Sequence, residues 1–230
     1  MTPILQASNE KITACIDDYP PYQHIGAMPY GIHVTALKKL AHTLNRQLQF
    51  VEAPNFARCI KLLELGKADV IAGLNKSEER EKFAFYAPYK NDDGHVFIFS
   101  ENNIVNHYRD LKGKIIGVPR GTTYFEQFDH DNSLNKIAIQ SVEVGIGLLL
   151  KKRIDVIITS RFVAASLLTE IKQSSLNTAV LEHEYDKESM SYFGFSKKNK
   201  LNLTEQEVIL LTTEAFNKGT FEVEAKQTYF

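Results

Sequence analysis

With 230 residues, 43% hydrophobic and 24% charged, the chain can bury one large core or two lobes of about 100 residues each. A formal net charge of −1 leaves no electrostatic footprint for nucleic acid or for an anionic membrane surface. No apolar run reaches the about 18 residues that a membrane-spanning helix needs. The chain starts MTPILQ, without the basic and apolar regions of a signal peptide. The expectation is therefore a cytoplasmic protein, or one whose signal peptide was removed beforehand.

Residues 11–17 (KITACID) predict a first strand, ended by Tyr19-Pro20-Pro21-Tyr22, because proline cannot serve a central ladder. Val34, Leu37, Ala41 and Leu44 share one face of a helix over 33–45. Residues 48–51 predict a second strand. Residues 56–65 predict a helix with Cys59, Ile60 and Leu63 inward and Gly66 as its stop, and 69–72 a third strand. This β-α-β-α-β run implies a parallel sheet with right-handed crossovers. Residues 94–100 (GHVFIFS) predict another strand, and 101–109 a polar surface connection. The same logic then recurs. Residues 113–119 are a strand, Gly121-Thr122-Thr123 is a turn that opens a helix, and 137–139 is a strand. Ser141 caps a helix running to Lys152, and 154–158 is a strand. Residues 178–181 and 192–195 are further strands. Thr204-x-x-Glu207 is a capping box, and the helix behind it stops near Gly219.

One pattern occurs twice. Residues 62–74 read LLELGKADVIAGL and residues 148–160 read LLLKKRIDVIITS. Each is the end of an apolar-striped helix, a basic turn, then Asp-Val-Ile opening a buried-type strand, with Asp69 and Asp155 at equivalent points. Two copies suggest two α/β lobes of similar build. In open α/β sheets the loops leaving the strands' C-terminal ends make the binding crevice. Here those loops are 73–80 and 159–162, and a ligand trap is the leading idea.

Six short stretches occur in a consistent order: DDYPPY at 17–22 with Gly31, F-x12-D from Phe56 to Asp69, AGLNKSEER at 72–80, FYAPY at 85–89, GVPRGTT at 117–123 and RIDVIIT at 153–159. Together they resemble the amino-acid-type (family 3) periplasmic solute-binding proteins of ABC transporters, over about residues 11–222. The resemblance implies an α/β, two-lobed Venus-flytrap fold with two interlobe crossings, near 91–95 and 185–191. Lobe I would hold residues 1–92 and 188–230, and lobe II residues 93–187. It implies a periplasmic monomer that captures a small molecule without a cofactor, partnered by an ABC permease or a membrane sensor.

The resemblance also implies a site. Arg80, in Ser77-Glu78-Glu79-Arg80, falls where the family's Arg binds the ligand carboxylate, and a planar guanidinium suits that task. The other reading is a helix-start Arg paired with Glu79 or Glu81. Gly73 lets backbone approach a ligand, and Asn75 and Ser77 line the same loop. Thr122 and Thr123 sit where a helix is expected to begin, so they either hold an anion or simply cap. Tyr19, Tyr22 and Phe56 are candidates for apolar walls, with core packing as the alternative for Phe56. Ser160 stands where amino-acid binders usually carry the Asp that pairs with the ligand ammonium, and Ile16 where binders of basic amino acids tend to carry an acid. Arg120 and Arg161 flank the loops. The expectation is a small polar, carboxylate-bearing ligand that lacks a free α-ammonium or carries extra negative charge, unless Tyr19 or a cleft carboxylate such as Asp18 replaces the missing Asp.

No HxH, HExxH or GxSxG spacing is present, so neither a metal site nor a nucleophile–base pair is expected, and the protein reads as a binder rather than an enzyme. Two alternatives stand beside this. One is a dehydratase of cyclic carboxylic acids on the same fold, with Glu79 or Glu126 as its acid. The other is the sensory part of a larger receptor. Cys15 and Cys59 read as buried apolar thiols, with a disulfide as the alternative.

Overall fold

A computed structural model describes residues 10–167, 175–181 and 190–222. The strands are β1 (Lys11–Ile16), β2 (Gln47–Glu52), β3 (Val70–Ala72), β4 (Ala84–Asn91), β5 (His95–Ser100), β6 (Ile115–Pro119), β7 (Asn135–Ile139), β8 (Val156–Ser160), β9 (Leu176–Ala179) and β10 (Met190–Ser196). The helices are α1 (Ile32–Thr43), α2 (Phe56–Glu64), α3 (Glu78–Glu81), α4 (Glu126–His130), α5 (Val142–Leu150), α6 (Arg161–Ser166) and α7 (Glu205–Asn217). The chain divides into two compact units. One is drawn from Met1–Asp18, Tyr22–Asn91 and Met190–Phe230, the other from Tyr19–Pro21 and Asp92–Ser189.

The first unit carries a sheet in the order β2-β1-β3-β10-β4. β1 runs parallel to β2 and β3, and β10 runs antiparallel between β3 and β4. Successive strand residues face opposite sides, and β1 shows why the sheet is covered twice. Ile12, Ala14 and Ile16 join Val34, Leu37 and Leu40 of α1 and Val208 of α7 in one core, while Cys15 joins Cys59 and Leu63 of α2 in another. The α1 residues recur at helical spacing and are fully buried. Asn45, just past the end of α1, adopts φ 52, a left-handed stop that asparagine tolerates.

The second unit repeats the plan, with a sheet in the order β7-β6-β8-β5-β9. Its parallel β7-β6-β8 core matches β2-β1-β3, and an antiparallel strand, β5, again flanks it. The duplicated aspartates explain part of the recurrence. Asp69 Oδ2 accepts the Thr13 N–H of β1 at 2.8 Å, and Asp155 Oδ2 accepts the Ile115 N–H of β6 at 2.8 Å. Their own amides donate back across the same pair of strands, to Thr13 O and Ile115 O. Each aspartate thus pins the start of its strand beside the parallel neighbour, β1 or β6.

Several expectations are corrected. β4 was not expected as a strand. It contains Pro88, which lacks an N–H, and it lies at the edge of its sheet, where a ladder tolerates that loss. The helix expected after Gly121-Thr122-Thr123 begins only at Glu126, and the strand expected at 178–181 forms two residues earlier. The connection at 101–109 holds two short 3-10 turns, Glu101–Asn103 and Tyr108–Leu111. Cys15 and Cys59 are a disulfide, not two thiols. They are 44 residues apart, but α2 packs on β1 and brings their Cα atoms to 5.4 Å. The Ser141 cap and the Thr204–Glu207 capping box form as expected. The second expected crossing, 185–191, falls mostly at 185–189, outside the described residues. Among the described residues no helix is long and apolar enough to cross a membrane.

Candidate functional site

Parallel strands end together, so the residues that follow β1 and β3 emerge side by side. Ala14 lies beside Val70, and continuing that register puts Asp17 level with Gly73 at the C-terminal edge of the first sheet. That edge is where α/β sheets expose their loops for binding.

The loop behind β3 is built tightly. Gly73 adopts φ +76, and a Cβ there would lie 2.7 Å from His33 Cε1, so both backbone and space require glycine. Its N–H and that of Leu74 both donate to Tyr192 O, at 3.0 and 3.1 Å. Ser77 caps α3 by accepting the Arg80 N–H at 3.3 Å, and Arg80 Nη1 donates to the Asn75 carbonyl at 2.9 Å. Arg80 is 8% exposed, so it is not the solvated helix-start arginine of the alternative reading. Gly73 is thus tied to Tyr192, and beyond it Asn75, Ser77 and Arg80 form one hydrogen-bonded unit. Lys76 projects from it with its ammonium 4.2 Å from the Tyr192 ring centroid and 5.9 Å from that of Tyr86. Burial pushes the Tyr86 hydroxyl up to about 12, so it keeps its proton at neutral pH.

The aromatic candidates divide differently from expectation. Tyr22 is buried, stacked on His33 at 4.5 Å, with the Lys90 ammonium 5.4 Å from its ring centroid. It supports the floor beneath Gly73 and is not an open wall. Phe56 opens α2 behind the Asn55 cap and is half-buried, with part of its ring packed against the Cys15–Cys59 cluster. Tyr19 is half-buried and groups with the second unit.

In the second unit, β6 and β8 also end side by side, so Arg120 and Ser160 follow from neighbouring strands. Arg120 and Arg161 are exposed. Thr122 and Thr123 do not begin a helix. Thr122 Oγ1 donates to Pro119 O at 2.7 Å and closes a turn, and the Tyr124 N–H ahead of α4 is taken by Asp129 at 2.9 Å. α4 itself starts without a side-chain cap. The helix start expected at these two threonines lies instead at Glu126. Ser160 caps α6, its Oγ accepting the Val163 N–H at 3.1 Å. A short oxygen-bearing side chain there has a structural cause independent of any ligand.

Three residues were missed, and all sit at the first sheet's C-terminal edge. Asp17 and Gln23 are 6% and 2% exposed and hydrogen-bonded to each other, Gln23 Nε2 donating to Asp17 Oδ1 at 2.6 Å. Burial is the main cause raising the Asp17 carboxyl to about 6, against the opposing pull of the Gln23 bond, with the Asp18 charge adding to the rise. His33 is 6% exposed, and burial, then the Lys90 charge, lower it to about 3, so it is a neutral imidazole. The Asp17-Asp18 pair was visible in the sequence, but nothing local says which of two adjacent aspartates points inward. Asp18 is the exposed one.

Residues 12–229 match the bacterial extracellular solute-binding proteins, family 3. A protein of Shewanella frigidimarina (strain NCIMB 400) named "Putative sensor protein" is 23% identical over 210 residues, covering 77% of this chain and 32% of that protein. ABC transporter arginine-binding protein 1 of Escherichia coli (strain K12) is 31% identical over 110 residues, 46% of this chain and 44% of that protein. The match thus spans about a third of the first relative and under half of the second. Among solved structures, the arginine-, lysine-, histidine-binding protein ArtJ from Geobacillus stearothermophilus superposes with a TM-score of 0.73 at 20% identity, covering 92% of each chain. At that identity the likeness shows the fold, and the two α/β units are those of the two-lobed binding-protein architecture.

Proposed function

The chain belongs to the bacterial extracellular solute-binding proteins, family 3, and from that premise we propose that it captures a small carboxylate-bearing solute outside the cytoplasm and presents it to a membrane permease. The observation that carries this reading is Arg80. Arg80 is buried in the loop that follows β3, the guanidinium fixed by the Asn75 carbonyl, among small and polar residues. A fork of N–H donors held in one orientation binds a carboxylate without first having to be ordered. Similar proteins are named for arginine and histidine, which supports an amino-acid-like ligand. A permease is the partner those transporter names favour.

A specific observation favours a second reading. Most of this chain aligns with only a third of the sensor-named relative, as a ligand-sensing portion of a longer receptor would. Both readings use the same binding chemistry. The dehydratase alternative is weakened because Glu79 and Glu126, the two acids it would need, are both exposed at the surface of their units.

Calorimetry with a panel of L-amino acids and dicarboxylates tests the proposal. Arg80→Ala should weaken the best ligand by roughly 2–4 kcal/mol, and Arg80→Lys should recover only part of that because a lysine cannot make the paired contact. Unchanged affinity in Arg80→Ala would remove the carboxylate reading.

A further inference from the structure

The turn that recurs in the two units has a similar backbone in each but different chemistry. Aligned on Asp69 and Asp155, the first unit reads Glu64-Leu65-Gly66-Lys67 and the second Leu150-Lys151-Lys152-Arg153. Both turns pass through the left-handed region, Gly66 at φ 67 and Lys152 at φ 54. In the first unit glycine is required twice over, since a Cβ there would also lie 2.8 Å from the Lys198 Cβ. In the second unit a lysine holds a conformation that L side chains avoid, and none of the described ion pairs or hydrogen bonds engages its ammonium. Folding alone favours glycine at that point.

The second unit gathers cations there. β6 and β8 run parallel, so the turns that lead into them, 112–114 and 151–155, lie side by side at the N-terminal edge of the second sheet. Lys112, Lys151, Lys152 and Arg153 are exposed, and no described ion pair includes any of them. β5 runs the other way, so its far end reaches the same edge. Asn103, just beyond it, donates to Asp155 at 3.0 Å and accepts from Lys114 at 3.4 Å. Those bonds set the exposed Ile104 beside the cations, and the exposed Leu150 closes α5 next to Lys151. Of the described acids in the adjoining segments, Asp110, Asp131 and Asp155 are half-buried and hold local donors, which leaves Glu101 as the exposed one.

We infer that the N-terminal edge of the second sheet docks on an anionic lipid surface, its cations against the headgroups and Ile104 and Leu150 between them. Protein interfaces are depleted in lysine and enriched in aromatic residues, whereas this edge offers three exposed lysines and two aliphatic side chains. Long, flexible ammonium side chains suit headgroups that move laterally, and each one near such a surface adds to the attraction. The chain's net charge of −1 conceals the edge, because the charges are sorted in space rather than in number. Arg120 and Ser160 follow the opposite ends of β6 and β8, so a membrane contact leaves those loops clear. The inference does not depend on which solute the protein binds.

The test floats the whole chain with vesicles of phosphatidylcholine, alone or with about 30% phosphatidylglycerol, at about 0.05 M and about 0.5 M salt. The chain should bind the anionic vesicles about tenfold more tightly than the neutral ones and lose most of that preference at the higher salt. Lys151→Gln with Arg153→Gln should weaken anionic binding by about tenfold or more. Lys61→Gln with Lys67→Gln makes the same charge change at the matching turn of the first unit and should weaken it by less than about twofold. Lys152→Gly restores the residue of the first unit, so its urea midpoint should rise while anionic binding falls by about fivefold. That variant keeps the test valid if the paired glutamine variant fails to fold. No preference for anionic vesicles, or equal losses in the two glutamine pairs, would overturn the inference. Retention on immobilised polyglutamate without vesicle binding would assign the edge to an acidic protein and overturn the lipid reading as well.

Discussion

Two buried groups at the first sheet's edge should push stability in opposite directions as the pH falls, and the protein conceals both until one is removed. His33 is lowered from 6.5 to about 3 in the fold. A base with a depressed value contributes stability that is present above its unfolded value and lost as the pH falls below it, because the unfolded chain takes up the proton first. Between pH 7 and pH 5 that uptake costs the fold about 2 kcal/mol. Asp17 is raised from 3.8 to about 6. A carboxyl with a raised value contributes stability that is full below its unfolded value and lost as the pH rises through its folded one. Acidification from pH 7 to pH 5 therefore returns about 1.3 kcal/mol. The pair nets a loss of roughly 0.7 kcal/mol. Urea unfolding at the two pH values separates them. Asp17→Asn abolishes the gain, so it should lose about 1.3 kcal/mol more than the parent on acidification. His33→Phe keeps an aromatic ring on Tyr22 and abolishes the loss, so it should become more stable relative to the parent at pH 5 by about 2 kcal/mol. Surface carboxyls with lowered values, such as Asp110, Asp131 and Glu207, titrate alike in all three proteins and cancel in the comparison. If the parent and Asp17→Asn show the same change between pH 7 and pH 5, Asp17 is not the buried titrating group described here.

The Cys15–Cys59 bridge closes a 44-residue separation around α1 and β2, so reduction should destabilise the protein by up to about 4 kcal/mol in the chain-entropy account. Urea midpoints measured with and without reductant check this, and equal midpoints would deny the bridge a stabilising role. Asp69→Ala leaves the Thr13 and Lys200 N–H groups without their acceptor and should cost about 2–4 kcal/mol, with ligand affinity per folded molecule unchanged. Asp155→Ala should cost less, about 1–3 kcal/mol, because Asp155 is only half-buried and one of its partners is a side chain. A larger loss in Asp155→Ala than in Asp69→Ala would contradict that ordering.

Sequence alone determined whatever is settled within a few residues. The helical spacing of Val34, Leu37 and Ala41, the Ser141 cap, the Thr204–Glu207 box and the stop at Gly66 each depend on groups within one or two turns, so their signals are local and survive without a fold. The duplicated Asp-Val-Ile was legible too, and it revealed two similar α/β units before any contact was known. The order of family stretches singled out Arg80 and its loop as a candidate, since that information lies in spacing rather than in packing. The tertiary structure decided what depends on partners far along the chain. β4 is a strand because β10, about a hundred residues later, pairs with it and leaves Pro88 at a tolerant edge. The two cysteines meet because α2 docks on β1. Tyr22 is buried because His33 stacks on it, and Phe56 is half-buried against the disulfide cluster. Asp17 and Asp18 are chemically identical neighbours in the sequence. Which of them is buried follows from where β1 ends and from Gln23 folding back onto it, and burial gives the two carboxylates different chemistry.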